Sequence, residues 1–265
     1  MPQAPTSTIV GYISNQTERA RITGALRGWA LVLWVGGLVE LPDAVRRAKA
    51  VPMAAIVEAR DIAGVGGGRV MQRLRALAPN MPIVAHCHTG VDHAADVRRM
   101  ADAGAHEFMF AGVDDTGMAL RAVLASAQRT CAAQRVSTEL LQLLPEPLAE
   151  VAQCCVTHPV EGRTVGALAR LMGIHRKTLL NRCTQCGGPS PGELVGWCRL
   201  MMAAHLLTTT GQTVEWVALE LDYPSDTALR NTMKRYTGLR ASDVVRRGGL
   251  TSVVRSFKRR LRALG

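Results

Sequence analysis

The sequence predicts a mixed fold. An N-terminal α/β unit is doubly wound around a five-stranded parallel sheet, and an all-α unit built as a double helix-turn-helix follows it. Three observations predict this. Up to Ala111, short apolar runs alternate with helical stretches, as buried parallel strands and their crossover helices do. Between Thr164 and Val245, a helix, a tight turn and a polar helix occur twice at matching offsets, joined by one longer helix. The charge divides the same way. Residues 1–145 carry 15 Lys/Arg against 12 Asp/Glu, and residues 146–265 carry 17 against 9, so most of the formal +11 lies in the second half.

Met1–Ser7 reads as a frayed lead-in. The β-branched run Thr8–Ile13 predicts the first strand and Glu18–Arg27 the helix after it. Ala30–Val35 with Leu41–Lys49 form the second pair, and Pro52–Glu58 with Arg69–Leu77 the third. Pro82–His86 with Asp92–Ala103 form the fourth, and Glu107–Ala111 is the fifth strand. Apolar runs without polar alternation need cover on both faces, which crossover helices supply.

These five units resemble a response-regulator receiver domain of flavodoxin-like topology. The loop Asp61–Gly68 after strand three and Gly104-Ala105 leading into strand five add to the likeness. The receiver's chemistry does not carry over. That chemistry uses acids after strand one to hold Mg²⁺, an Asp nucleophile ending strand three, a Thr or Ser after strand four and a Lys after strand five. The matching positions here are Ser14-Asn15, Glu58, Cys87 and Ala111. A degenerate pseudo-receiver without phosphoryl transfer is therefore expected. Glu58, at the acceptor position, has two readings: a fixed mimic of a phosphorylated aspartate, or a polar residue closing a strand. The second is favoured.

Asp114–Leu144 is helical in pattern, with Leu120, Val123, Leu124, Ala127, Cys131, Leu140, Leu141 and Leu144 near one stripe. Its start would be the receiver's last helix. Its extension would link the domains and either pair in a dimer or pack against its own chain. Pro145 and Pro147 mark a boundary, and Leu148–Thr157 predicts a supporting helix.

The double motif follows. Val165–Met172 carries Val165, Leu168, Ala169 and Met172 at helical spacing, and Gly173 breaks it with the turn conformation glycine tolerates. His175–Cys186 is polar and basic outside, with Ile174, Leu179 and Cys183 inside. Ser190-Pro191 starts the joining helix, which runs to Thr209 and would be about 28 Å long. Val214–Leu221, a turn at Asp222-Tyr223-Pro224-Ser225 and the polar helix Asp226–Tyr236 complete the repeat. Successive major-groove faces of B-DNA lie ~34 Å apart, so such a rod can offer both polar helices to one side of a duplex.

Specific residues carry a family likeness. They are Ala169, Gly173, His175 and Leu179 in the first unit, Gly188, Ser190 and Pro191 after it, and Arg199, Ala203, Leu206 and Leu207 on the joining helix. Ala218, Tyr223, Lys234-Arg235-Tyr236, Gly238 and Ser242 carry it in the second unit. With these, residues 163–247 resemble the DNA-binding domain of the AraC/XylS family of transcription regulators. There are departures. Cys183, Leu229 and Met233 replace phenylalanines, Asp222 a glycine, Asn181 and Asn231 arginines, and Ala241 a proline.

The resemblance implies double-stranded DNA as partner and places Arg176, Lys177, Leu180, Asn181 and Gln185 of the first polar helix toward the groove. On the second it places Asp226, Thr227, Arg230 and Asn231 there. Asn can read adenine, Arg and Lys guanine, and Asp can accept from cytosine. Arg182, Lys234 and Arg235 read as phosphate contacts or solvated charges. After Val245 come seven basic residues and no acid, including Lys258-Arg259-Arg260, read as a solvated end or a DNA-contacting arm.

Other signals are weaker. Cys183-x-x-Cys186 lacks a second pair at zinc-finger spacing, and Cys183 holds a core position. Adjacent Cys154 and Cys155 diverge on a helix. In His86-Cys87-His88, with Asp92 and His93 nearby, strand alternation sends both histidines one way and the cysteine the other. It reads as a polar strand end rather than a metal site, and a ligand crevice over the sheet's carboxyl edge is preferred. Gly64-x-Gly66-Gly67-Gly68 meets neither nucleotide motif.

The expected organisation is a pseudo-receiver at 1–125, a helical linker at 126–147, an AraC-type DNA-binding domain at 148–247 and a basic tail at 248–265. No catalytic constellation, metal or cofactor is expected. Seven cysteines without a signal peptide or a long apolar run suit the cytoplasm, here a bacterial cytoplasm and nucleoid. The function expected is sequence-specific transcription regulation by a homodimer. A small-molecule or protein signal would act at the N-terminal unit, with no membrane partner. The alternative is a scaffold docking on another regulator.

Overall fold

The computed structural model describes residues 7–48, 52–59, 66–89, 94–114 and 116–264. They divide into two compact units, with the main break between Cys131 and Ala132.

The first unit holds β1 (Ser7–Tyr12), α1 (Gln16–Ala25), β2 (Ala30–Trp34), α2 (Leu41–Arg47), β3 (Ala54–Glu58), α3 (Gly67–Leu77), β4 (Ile83–Cys87), α4 (Ala94–Asp102) and β5 (Glu107–Phe110). The strands are all parallel in the order β2-β1-β3-β4-β5, which is the flavodoxin-like winding. β3 and β4 are buried at every residue because both faces are covered. On one face Ile9, Ile22, Leu26, Ile56 and Val84 pack with Leu120 and Leu124. On the other Val10, Leu41, Val57, Val70, Leu74, Ala85 and Met100 pack together. Asn15 starts α1 by accepting from the backbone N–H of Thr17 at 2.8 Å and of Glu18 at 3.3 Å. The lead-in through Thr6, the glycine-rich loop through Val65, and Asp92 and His93 lie outside the described residues.

α5 (Gly117–Leu141) passes through the division. Leu120, Leu124 and Ala127 join the sheet's core, whereas Ala132, Val136 and Leu140, with Leu144 after it, join the helical core. The apolar stripe is thus buried against its own chain, and Leu141 is its exposed member. The stretch expected as a linker is helix and core on both sides of the break.

The second unit continues with α6 (Glu146–Thr157), α7 (Val165–Leu171), α8 (Arg176–Gln185), α9 (Pro191–Thr209), α10 (Val214–Glu220), α11 (Asp226–Thr237), α12 (Ala241–Arg246) and α13 (Leu250–Arg262). α9 is buried nearly all round and forms the axis of this core. Gly196 lets α11 come close, since a Cβ there would run into the Tyr236 hydroxyl.

The basic stretch after Val245 is not a solvated end. It folds as the end of α12 and as α13, whose Leu250, Val253, Val254 and Phe257 enter the core. The Phe257 and Trp197 ring centroids are 5.2 Å apart. Arg260 donates to both carboxylate oxygens of Glu193, at 2.6 and 3.1 Å. That guanidinium, before other causes, holds the Glu193 carboxyl below the usual range. The physical reason is period: apolar residues recur every three to four positions through 250–261, so the charge lies on one face of a helix.

Candidate nucleic-acid interface

Each helix-turn-helix is built from its own caps. Thr164 accepts from Ala167 N–H at 3.2 Å to start α7, and His175 Nδ1 accepts from Lys177 N–H at 3.2 Å to start α8. Thr213 and Ser225 do the same for α10 and α11, accepting from Trp216 N–H and Ala228 N–H, both at 3.1 Å. The turns match. Ile174 N–H reaches back to Ala169 O at 3.0 Å, and Tyr223 N–H to Ala218 O at 2.8 Å. Gly173 and Asp222 take the left-handed conformation at corresponding positions, with φ of 65° and 53°.

Asp222 is the one non-glycine at positive φ among the described residues. Aspartate tolerates this conformation better than most side chains. Its carboxylate pairs with Arg163, just before the Thr164 cap, so the departure from glycine ties the second turn to the start of the first motif. Arg199 of α9 holds the same turn from inside, donating to Leu221 O at 2.7 Å and Asp222 O at 3.1 Å. Its guanidinium lies 4.2 Å from the centre of the Tyr223 ring. The ion pair escapes sequence reading because Arg163 lies far from Asp222 in the chain; the missing glycine is its one signal.

The residues expected to face DNA lie on one side of each polar helix. On α8, Leu179 and Cys183 are buried while Arg176, Lys177, Leu180, Asn181 and Gln185 are exposed. Arg182 is half-buried and donates to Glu150 of α6 at 3.4 Å, which turns it from the outer face. On α11, Leu229 and Met233 are buried while Thr227, Arg230, Asn231, Lys234 and Arg235 are exposed. Asp226 is half-buried, and Arg230 Nε donates to it at 3.2 Å. This hydrogen bond, first among its causes, holds the Asp226 carboxyl below the usual range. Asn181 and Asn231 take corresponding places, two residues beyond Leu179 and Leu229. The structure therefore presents two polar, basic faces, the second also holding the Arg230–Asp226 ion pair.

The cysteines play no part in these faces. Cys183 is buried, and burial pushes its thiol up to about 11. Every cysteine is a free thiol. In the first unit, Glu58 is buried and accepts from Ser14 N–H at 2.6 Å and Ser14 Oγ at 2.7 Å. Cys87 and His86 point to opposite faces of the sheet, as alternation requires. Two described cavities flank α2, one lined by Leu38, Pro42 and Arg73 and the other by Trp34, Glu40 and Asp43. No helix among the described residues is long and apolar enough to cross a membrane.

Residues 168–247 match the family model described as a helix-turn-helix domain. The C-terminal unit is thus a helix-turn-helix domain of the AraC type that its motifs resemble, following an N-terminal unit with a receiver-like strand order. No curated protein matches the chain. Among solved structures, it is similar to the N-terminal signal receiver domain of a response regulator from Bacteroides fragilis. That likeness has 18% identity over 46% of this chain and 96% of that one, with a TM-score of 0.39. Full-length FixJ from B. japonicum is similar at 17% identity over 83% and 98%, with a TM-score of 0.37. RcsB from Salmonella enterica serovar Typhimurium, bound to promoter rprA, is similar at 15% over 72% and 98%, with a TM-score of 0.35. Such distant likenesses add nothing to the fold that the strand order already defines.

Proposed function

We propose that this chain is a sequence-specific regulator of transcription that reads two successive major-groove segments with α8 and α11. The observation that carries this is the pair of exposed polar helix faces, each capped and turned alike, mounted on one buried axial helix. α9 has 19 residues, about 28 Å of rigid rod, close to the ~34 Å between groove faces. The second unit also carries most of the positive charge, which suits a polyanion. On this reading the first unit supplies phosphorylation-independent signal input or dimerisation, since Ser14-Asn15 and Ala111 stand where receiver chemistry needs acids and a lysine.

The test is a binding-site selection with Asn181→Ala and Arg230→Ala. A bidentate base contact gives about 1–3 kcal/mol of discrimination. Each variant should lose preference at one or a few positions, and the two sets should lie about one helical turn apart. Loss of the same base position in both variants would contradict the two-groove reading. A folded protein that protects no sequence at all would favour the scaffold alternative.

A further inference from the structure

The first unit gathers a side-chain set that the proposed function does not use. β4 ends at Cys87, and His86 and His88 on either side of it share the face on which Val84 packs under α1 and α5. Glu18, in the first turn of α1, reaches both. Its Oε2 is 3.7 Å from His86 Nδ1 and its Oε1 is 3.7 Å from His88 Nδ1. One ligand atom from each of the three lies within 4.8 Å of the others. Glu58 Oε1 stands 3.8 Å from His88 Nε2, while Ser14 holds its Oε2.

These separations can be set against two kinds of contact. N–H···O hydrogen bonds run at about 2.7–3.2 Å, so these pairs stand too far apart for them. Ligands held at about 2.0–2.1 Å from a tetrahedral ion lie roughly 3.3 Å from one another. The two Glu18–imidazole separations of 3.7 Å come near that spacing, and all three ligand atoms lie within 4.8 Å of one another. The surroundings agree. Two carboxylates converge beside two imidazoles at a site where His86 is 1% exposed. Arg19, next to Glu18 in the chain, is directed to the carbonyls of Ile13 and Val35.

The donor types narrow the ion. Imidazole nitrogen with carboxylate oxygen suits zinc and its first-row neighbours, whereas Mg²⁺ and Ca²⁺ take oxygen alone. Sulfur is not offered, because Cys87 faces the opposite core. His88, with its side chain 41% exposed, provides the open side through which an ion enters. We propose that Glu18, His86 and His88, with Glu58 beside them, form a site for a divalent transition-metal ion of the zinc type. Its imidazole donors set it apart in chemistry from a receiver's all-carboxylate Mg²⁺ site, which it adjoins through Glu58, and it stands independently of the DNA-binding reading.

The test uses the full chain, stripped with a chelator and titrated with Co²⁺ as a spectroscopic probe, followed by competition with Zn²⁺. The expected result is saturable binding of one Co²⁺ per chain, with d–d absorption and no thiolate charge-transfer band. Zn²⁺ should displace it. Glu18→Gln and His88→Ala should each weaken binding at least tenfold, on the order of the loss seen when even a supporting group is removed. His158→Ala, at the end of α6 in the second unit, should leave it unchanged. His88→Ala alters a partly exposed side chain, and its far-UV circular dichroism should match the parent, so this variant alone decides if Glu18→Gln misfolds. Absence of saturable binding would overturn the proposal. So would Co²⁺ binding that shows a thiolate band and survives His88→Ala, since the cysteines would then hold the metal.

Discussion

Phe257→Ala tests whether the basic C-terminal stretch is part of the fold. The ring is fully buried in the helical core and packs on Trp197. A phenylalanine buries at least 150 Å², and at ~25 cal/mol per Å² its removal from water contributes about 4 kcal/mol. Measured Phe-to-Ala costs of about 3–5 kcal/mol agree, because the cavity left behind collapses only in part. Against a total stability of about 5–15 kcal/mol, that loss is large. It should lower the midpoint of the second unit's thermal transition by on the order of 10 °C. Calorimetry of the full chain reads this directly. The contrasting variant is Lys258→Gln with Arg259→Gln, on the exposed face of α13. Surface changes of this kind stay within about 0.5 kcal/mol, so the midpoint should hold. The slope of log K for DNA against log salt should become shallower by up to about 0.9 for each phosphate the helix no longer neutralises. A Phe257→Ala midpoint within about 2 °C of the parent would refute the seating of α13.

Three further outcomes are expected. His205 is buried on α9, and burial, followed by the charge of Arg135, lowers its pKa to about 4. Because the folded value lies below the unfolded one of about 6.5, its contribution is complete above pH 6.5 and is lost as pH falls toward 4, by roughly 3 kcal/mol. His205→Gln should make the acid limb of the stability curve shallower, and an unchanged limb would show that another group sets it. Acetyl phosphate with Mg²⁺ should leave the mass unchanged in both the parent and Glu58→Asp, since restoring the acceptor restores neither the acids at Ser14-Asn15 nor the cation at Ala111. A stable phosphoryl adduct would overturn the degenerate-receiver reading. Arg199→Ala should cost about 1–3 kcal/mol by leaving two carbonyls of the second turn without their donor. Asp222→Gly should cost under about 1 kcal/mol, because its ion pair is exposed and glycine accepts the backbone; urea unfolding that ranked the two the other way would contradict this account of the turn.

The order and kind of the elements from β1 to α11 are legible in the sequence because apolar runs, helical stretches and their turn residues alternate regularly. β1 to β5 are short, mainly apolar runs, and the helices of the two motifs are short stretches bracketed by Thr164, Gly173, Thr213 and Ser225. α13 is legible too, since Leu250, Val253, Val254, Phe257 and Leu261 keep helical spacing. Its basic composition suggests a solvated tail, but composition reports which partner a face suits and not whether the chain beneath it folds. α5 shows the opposite case. Its stripe runs through Leu120, Leu124, Val136 and Leu140 as if serving one partner, yet it serves two cores in succession. A helical period reveals a buried face without saying what buries it.

The same limit explains which side-chain groups the sequence could not assemble. Alternation on β4 correctly puts His86 and His88 on one side, and there the local rules end. Their partner is decided by topology: β1 and β4 flank β3, so α1, leaving the carboxyl end of β1, sets Glu18 beside the carboxyl end of β4. Asp92 and His93 are the companions that nearness in sequence suggests, and they lie outside the described residues. In a parallel sheet all carboxyl ends open on one edge, so residues remote in sequence converge there by construction. The exposed polar faces of α8 and α11 need no such convergence, because each is carried by a single helix. That is why the family resemblance could assign Asn181 and Arg230 to outer faces residue by residue, whereas Arg163 with Asp222, and Glu18 with its two histidines, required the fold.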